Sequence, residues 1–388
     1  MRMVIGLAAA LALGGAAQAQ VPLDPKTPSI LFWTPQQQSD GYRAMEKVYK
    51  AETVKRGTKV HPLPLAAKQI APTWEHEGKA WTVDSYMAAY NVSGILVLKD
   101  GKIVLEKYGM GRRPQDRWTS FSVAKSVTST LVGAAIQDGK IKSLSAPVTD
   151  YIPELKGSGY DGVTVRQLLM MSSGVKWNED YVDPNSDVSR STTLPMEPGK
   201  NSLVTYMSRL PRAHPPGTMF NYSTGETDLV GILVSNAVGK SVSEYASEKI
   251  WKPYGMDSDA IWVTDPAGHE RGGCCMSLTL RDYGRVGQFI LDGGKAGGKQ
   301  ILPPTWTIEA TTPQITSGTR ERGYGYFWWM PDSGAYEARG IFGQSITTYR
   351  DDRIIIVTNA AWPRATGRDL SMARNAFIKA AYEAAKGN

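Results

Sequence analysis

Cysteine is almost absent from this 388-residue chain: it has two, adjacent to each other at Cys274 and Cys275. Neighbouring residues cannot staple distant segments, so a disulfide framework is excluded. Ordinary disulfide geometry also sets the two Cα atoms farther apart than neighbours easily allow, which favours two free buried thiols over a vicinal disulfide. Histidine is scarce as well. His61, His76, His214 and His269 show neither a His-Glu-x-x-His pattern nor a Cys-His spacing, so no metal site is expected, and no cofactor. Basic runs and basic stripes interleaved with aromatics are missing, so the formal charge of +7 reads as a solvated surface and nucleic acid is not an expected partner. Repeats and low-complexity tracts are missing too. What is present is ordinary for a soluble globular protein: 41% hydrophobic and 21% charged residues, over a length that suits one large domain with an inserted lobe, or two domains.

Long apolar runs are lacking except at the start. Arg2 is followed by an apolar stretch from Val4 to Ala17, and Ala17-Gln18-Ala19 has the small-x-small form of a cleavage site. The run is shorter than the roughly 20 residues a bilayer span needs, so residues 1–19 read as a cleaved secretory signal. A periplasmic or secreted protein without stable membrane insertion is expected, with a formal charge of +6 once Arg2 is lost from +7.

Residues 20–90 are proline-rich and read as an irregular leader. One helix is expected there, over Gln36 to Arg56, on the spacing of Tyr42, Met45 and Val48. Gly94–Leu98 and Lys102–Tyr108 flank Lys99-Asp100-Gly101, a strong hairpin signal. From Ser122 to Asp138 the apolar residues Val123, Val127, Leu131 and Ala135 recur every four positions, and small residues fill most of the rest. That pattern suits a helix surrounded on every side. Further helices are expected at Val163–Met171, Thr227–Val238, Val242–Trp251 and Ser277–Leu291, and residues 177–200 form a long polar loop of the kind that often carries function. Strands return at Tyr324–Met330, Gln344–Tyr349 and Arg353–Asn359, and Ser371–Lys386 is an amphipathic helix. Strands at both ends and helices between them predict an α+β fold: an antiparallel sheet from residues 91–118 and 316–388, flanked by helices, with a mainly helical lobe from 119–315.

Ser122-Val-Ala-Lys125 is the chemistry-bearing motif. Three residues apart on a helix places both side chains on one face. The start of the helix offers free backbone N–H groups and a positive dipole end suited to an oxyanion. A serine hydroxyl needs a base within hydrogen-bond reach, and a lysine among apolar atoms loses proton affinity and can serve. The spacing alone is weak evidence, since about one or two matches arise by chance in a chain this long.

The order of hairpin, Ser-x-x-Lys helix, Tyr motif and late glycine-bearing strand resembles the serine β-lactamase and penicillin-binding-protein superfamily. More closely, residues 93–385 resemble the 6-aminohexanoate-dimer (nylon-oligomer) hydrolases, a branch with a class C β-lactamase-like fold. The stretches that carry the resemblance are Ser122-Val-Ala-Lys-Ser126, Tyr160-Asp-Gly162, Asn178-Glu-Asp-Tyr-Val-Asp-Pro184, Phe220-Asn-Tyr222, Arg281-Asp282 with Gly284-Arg-Val-Gly287, Leu291-Asp-Gly-Gly294, Gly340-Ile-Phe-Gly-Gln344 and Ala361-Trp362-Pro363. The resemblance implies a β-lactamase/transpeptidase-like fold and a set of roles. Ser122 would be the acylated nucleophile, Lys125 its base and Tyr222 a proton relay to the leaving group. The backbone N–H groups of Ser122 and Ile341 would form the oxyanion hole, with Phe342 the alternative register, and Tyr181 would contact the substrate amide.

The departures are equally specific. Tyr222-Ser223-Thr224 lacks the Asn of the superfamily's Tyr-x-Asn motif, and Ala338-Arg339-Gly340 keeps only the glycine of Lys-Thr-Gly. Arg339 reads as solvated and Gln344 as structural. Arg271 and Phe342 stand where the nylon-oligomer hydrolases have substrate-lining Asn and His. Both are therefore expected to line the pocket, Arg271 either facing a substrate carboxylate or pointing to solvent. The expected activity is hydrolysis of small amides or esters, with 6-aminohexanoate-type oligomers among the candidates. The competing readings are a carboxylesterase, a β-lactamase or DD-peptidase, and a non-catalytic binding protein of the same fold.

Overall fold

The structure is a computed structural model that describes residues 29–195, 199–318 and 321–387. The expected secretory signal lies outside them. Strands β1 (Val92–Lys99) and β2 (Lys102–Tyr108) form the expected hairpin, with Asp100 and Gly101 both at positive φ, as a tight two-residue turn between twisted strands requires. The chain returns to this sheet 215 residues after β2 with β3 (Gly323–Tyr324), β4 (Trp329–Met330), β5 (Tyr336–Gly340), β6 (Gln344–Tyr349) and β7 (Ile354–Ala360). All seven are antiparallel, in the order β3-β4-β5-β6-β7-β1-β2. One sheet is thus assembled from both ends of the sequence.

Both faces of this sheet are covered, which explains why β1 and β7 are continuous apolar runs rather than alternating ones. Leu96, Leu98, Ile346, Ile355 and Val357 face the helical side. Ile95, Val97, Ile354 and Ile356 face a terminal helix, Arg368–Lys386, through its Leu370, Ala373, Phe377 and Ala381. Phe377 also stacks on Tyr86, centroids 5.0 Å apart, and truncating it to alanine should cost about 3–5 kcal/mol.

Three helices on the other side matter for the site: α1 (Val123–Gln137), α2 (Thr224–Val238) and α3 (Leu280–Leu291). Helix α1 is buried from Val123 to Ala135, as its all-round small and apolar composition predicts. It packs on α2, and its N-terminus meets the end of β5. Helix α3 lies on the sheet, and a Cβ on Gly284 or Gly287 would press into Leu96, or into Ile346 and Ile355. This is the physical reason for glycine in the Gly284-Arg-Val-Gly287 stretch. A second sheet, in the order Ala51–Val54, Ala260–Val263, Met276–Leu278, Trp118–Thr119, ties the segment before Ser122 to the segment around Cys275.

Several expected elements differ. The helix expected over Gln36 to Arg56 is instead a short one, Pro35–Gly41, then a 3-10 turn, Met45–Lys47, then the strand Ala51–Val54. Tyr42 and Met45 leave that helix to bury themselves against Trp118 and Phe121, so their spacing serves a turn rather than a stripe. The leader also holds a hairpin (Thr73–His76, Lys79–Thr82) and a helix (Val83–Ala89). Ser277 and Leu278 belong to a strand, and α3 starts at Leu280 behind the Thr279 cap. Cys274 and Cys275 are joined by a vicinal disulfide rather than left as free thiols. Cys275 sits at φ +70°, an unusual backbone state for a residue other than glycine.

Candidate active site

Strand Trp118–Thr119 delivers the chain to Phe121, whose φ is +43°, and the helix begins immediately behind it. Positive φ at a phenylalanine is sterically costly and persists only where the surroundings enforce it. Here the Phe121 ring is locked between Tyr42 and Phe342. The turn leaves Ser122 as the cap residue of α1 with Lys125 one turn inside.

Lys125 is 1% exposed. Its Nζ donates to Thr224 Oγ1 at 2.9 Å and to Gly273 O at 2.7 Å, and it lies 5.3 Å from the centre of the Tyr222 ring. It has room because residue 273 has no side chain: a Cβ there would stand 3.0 Å from Nζ. Burial lowers the Lys125 ammonium to about 8, opposed by the carboxylates of Glu179 and Asp228 and helped by Arg271. Ser122 Oγ is not an acceptor of Nζ in this state. Its side chain instead lies beside the Tyr222 hydroxyl and acts on it. Burial pushes the Tyr222 phenol far above its usual range, Glu179 pushes it further, and Ser122 opposes both. Tyr222 is therefore a protonated phenol at any ordinary pH.

Tyr222 belongs to an aromatic wall. Trp329 stacks on it at 5.4 Å and Tyr324 meets it edge-on at 6.3 Å, while Phe220 packs on both of these. Tyr181, from the 178–184 loop, donates to Glu179 Oε1 at 2.9 Å. Opposite, the end of β5 runs against Ser122: a Cβ on Gly340 would clash with Ser120 O and lie 3.1 Å from Ser122 N. Beyond Gly340, Phe342 N–H donates to Ala365 O at 2.9 Å. Gln344 Nε2 holds the carbonyls of Phe342 and Ala360 at 3.1 and 2.7 Å, a structural role for that residue.

A family model described as Beta-lactamase matches residues 81–381. This chain belongs to the β-lactamase family. It is 34% identical, over 283 residues, to 6-aminohexanoate-dimer hydrolase of Paenarthrobacter ureafaciens, covering 69% of this chain and 72% of that protein. Among solved structures it is similar to a Bacillus anthracis protein provisionally assigned as a 6-aminohexanoate-dimer hydrolase, with a TM-score of 0.77, 25% identity, and 90% of this chain and 95% of that one covered. A family VIII carboxylesterase shares the fold at a TM-score of 0.60 and 18% identity, over 78% of this chain and 96% of that one. The chain is a serine hydrolase with the β-lactamase/transpeptidase fold.

Of the residues singled out in the sequence, Ser122, Lys125, Tyr222 and Tyr181 converge. Others do not behave as expected. Phe342 is 1% exposed and packs on Tyr42 and Phe121, so its ring belongs to the core and does not line a pocket. Arg271 neither faces an open cleft nor points to solvent: its Nε pairs with the buried Asp228 at 2.7 Å. Arg339 is not solvated either. It pairs with Glu337 and Glu321 and lies over Trp329. Three further residues belong to the site: Thr224, Gly273 and Glu179. Thr224 follows Tyr222 by two positions and takes the place of the Asn in Tyr-x-Asn. Glu179 lies inside Asn178–Pro184, one of the stretches that carry the resemblance. Nothing near Gly273 marks it in the sequence. Among the described residues no group of three or more His, Cys, Asp or Glu is placed to hold a metal ion, and no helix is long and apolar enough to cross a membrane.

Proposed function

We propose that this enzyme hydrolyses small amides or esters through an acyl-enzyme on Ser122, with Lys125 as general base and Tyr222 as proton relay. The observation that carries the reading is the state of Lys125: an amine sealed from water, lowered to about 8, one helical turn from Ser122 and against the Tyr222 ring. A neutral amine has two N–H bonds and one lone pair. Both N–H bonds of Lys125 are used, on Thr224 Oγ1 and Gly273 O, which leaves the lone pair to take a proton.

In the first step Ser122 Oγ attacks the substrate carbonyl as its proton passes to Lys125. The oxyanion forms between the N–H groups of Ser122 and Ile341. The Phe342 register is disfavoured because that N–H already donates to Ala365 O. Tyr222, protonated and within reach of Ser122, carries the proton on to the leaving nitrogen or oxygen, and is replenished by Lys125. Water then cleaves the ester by the reverse route. A positioned base supplies about 10²–10⁴ in rate and each oxyanion donor about 10²–10³. Tyr181 stands at the substrate side, where its ring offers a wall for the amide.

The activity named for the Paenarthrobacter ureafaciens relative makes 6-aminohexanoate oligomers the first amides to try, beside short p-nitrophenyl esters and nitrocefin. The signal at residues 1–19 would deliver the enzyme to the periplasm or the medium, and N-terminal sequencing of the exported form should begin at Gln20. Intact-mass analysis after exposure to the substrate panel should show an acyl adduct on the wild type and none on a folded Ser122→Ala variant. Hydrolysis by that variant at a wild-type rate would sink the assignment. No adduct from any serine-directed probe on the wild type would favour the binding-protein reading.

A further inference from the structure

We infer that Glu179 is a positioning residue for the general base: by accepting the hydrogen bond of the Thr224 hydroxyl it fixes the direction of the hydrogen bonds that hold Lys125. The inference rests on the Ser122–Lys125 reading above and concerns what sets the base, rather than which residue is the base.

The argument is one of donors and acceptors. Both oxygens of Glu179 are occupied. Oε2 accepts from Thr224 N at 2.9 Å and from Trp177 Nε1. Oε1 accepts from Tyr181 Oη at 2.9 Å and from Thr224 Oγ1. An ionised carboxylate can only accept. The hydroxyl proton of Thr224 therefore points at Glu179, and the Thr224 oxygen can only accept from Lys125 Nζ at 2.9 Å. Gly273 O, a carbonyl, can only accept as well. Every partner of Nζ thus demands an N–H, and none can cap the lone pair. If the Thr224 proton were free to turn, it would point at the amine and block the lone pair that Ser122 needs.

Glu179 also joins this network to the substrate side, since its Oε1 holds the Tyr181 hydroxyl. One carboxylate thereby orients the aromatic contact and the base together. The charged and titratable groups acting on Lys125 are Glu179 from the loop, Asp228 from α2 and Arg271 from the segment before Gly273, with the Tyr222 ring against it. Asp228 is engaged by Arg271 and by Gly273 N, so Glu179 is the carboxylate whose removal changes the field at the amine while sparing that ion pair.

The test is Glu179→Gln. The backbone and indole N–H groups at Oε2 are obligate donors, so the amide oxygen must take that place and the NH₂ must face Thr224 and Tyr181. Both hydroxyls then reverse and accept. The expected result is a folded protein, by circular dichroism and unfolding midpoint, that acylates roughly 10- to 100-fold more slowly, less than the full loss of a general base at about 10²–10⁴. The pH at which its rate is half-maximal should fall, because a negative charge that favours the ammonium is gone. In a Thr224→Val background, adding Glu179→Gln should cost much less than it does alone. A wild-type rate, a loss without any movement of the half-maximal pH, or full additivity with Thr224→Val would each overturn the inference. Failure of the underlying reading would look different: the wild type itself would show no labelling that depends on Ser122.

Discussion

Raising the pH from 7 to 9 should increase the acylation rate about ten-fold and no more, because that is the change in the neutral fraction of an amine lowered to about 8. Such an amine is about one-eleventh neutral at pH 7 and about ten-elevenths neutral at pH 9. A lysine at its ordinary 10.5 would instead give a roughly hundred-fold rise with no bend before pH 10. Tyr222 does not complicate the window, since burial keeps it a phenol throughout. The assay is the pre-steady-state burst of a p-nitrophenyl ester between pH 6 and 10.5, corrected for hydroxide. The same shift acts on stability. The unfolded chain binds this proton more tightly than the folded one, so between about 8 and 10.5 folding gains from rising pH. The gain is about 3 kcal/mol, from 2.5 units at 1.36 kcal/mol each. Wild type should therefore gain about that much on Lys125→Met across the window, by urea unfolding. A rate profile that bends near 10.5, or a Lys125→Arg variant with near-wild-type rates, would refute the reasoning, because an arginine cannot give up its proton.

The remaining predictions use the same geometry. Gly340→Ala should lower kcat about 10²–10³-fold with a smaller change in KM, because a methyl there clashes with Ser120 O and displaces the Ser122 N–H from its partner strand; a change confined to KM would count against the oxyanion assignment. Glu226 is buried beside Ser173 and Tyr160, its Oε2 has no partner, and desolvation raises it to about 8. Its raised value stabilises the fold fully below about 4.5, and that stability is lost as pH climbs through about 8. Glu226→Gln should thus match wild type in thermal midpoint at pH 5 and exceed it at pH 9. Arg271→Met should destabilise by about 3–5 kcal/mol, by stranding the buried Asp228, and should not selectively raise KM for substrates bearing a carboxylate; a selective KM effect would restore Arg271 as an anion clamp.

Local patterns in the sequence translated well where one element decides its own fate. The Asp100-Gly101 turn, the buried helix after Ser122 and the strand Gln344–Tyr349 follow from spacing and turn chemistry alone. Pattern reading fell short where a residue's role depends on a distant partner. The apolar spacing at Tyr42 and Met45 mimics a helix face, yet their real neighbours, Trp118 and Phe121, lie more than 70 residues away. Phe342 shows the same limit. Its position in Gly340–Gln344 marks a site, but the positive φ that turns its ring into the core is invisible in one sequence. Glu179 and Thr224 are 45 residues apart, and only their hydrogen bond gives either a function.

Two arginines bear on which substrates the proposed function admits. A β-lactam carboxylate needs an unpaired cation on the strand beside the nucleophile. Ala338 stands at that place, and its neighbour Arg339 is already matched by two carboxylates and lies on Trp329. Prying it loose would leave Glu337, itself buried, without its partner, a cost no surface ion pair would carry. Arg271 is committed to Asp228 in the same way, and Asp228 in turn holds Gly273 N, whose carbonyl holds Lys125. A charge recruited to bind a substrate would thus be withdrawn from the scaffold of the base. With both cations spent on structure, what adjoins Lys125 and Tyr222 is the aromatic wall of Trp329, Tyr324 and Phe220. That wall suits the apolar body of an amide or ester better than an anion. Under the proposed function, Ser122 and Lys125 act as nucleophile and base while Arg271 and Arg339 are both held by carboxylates of the protein itself.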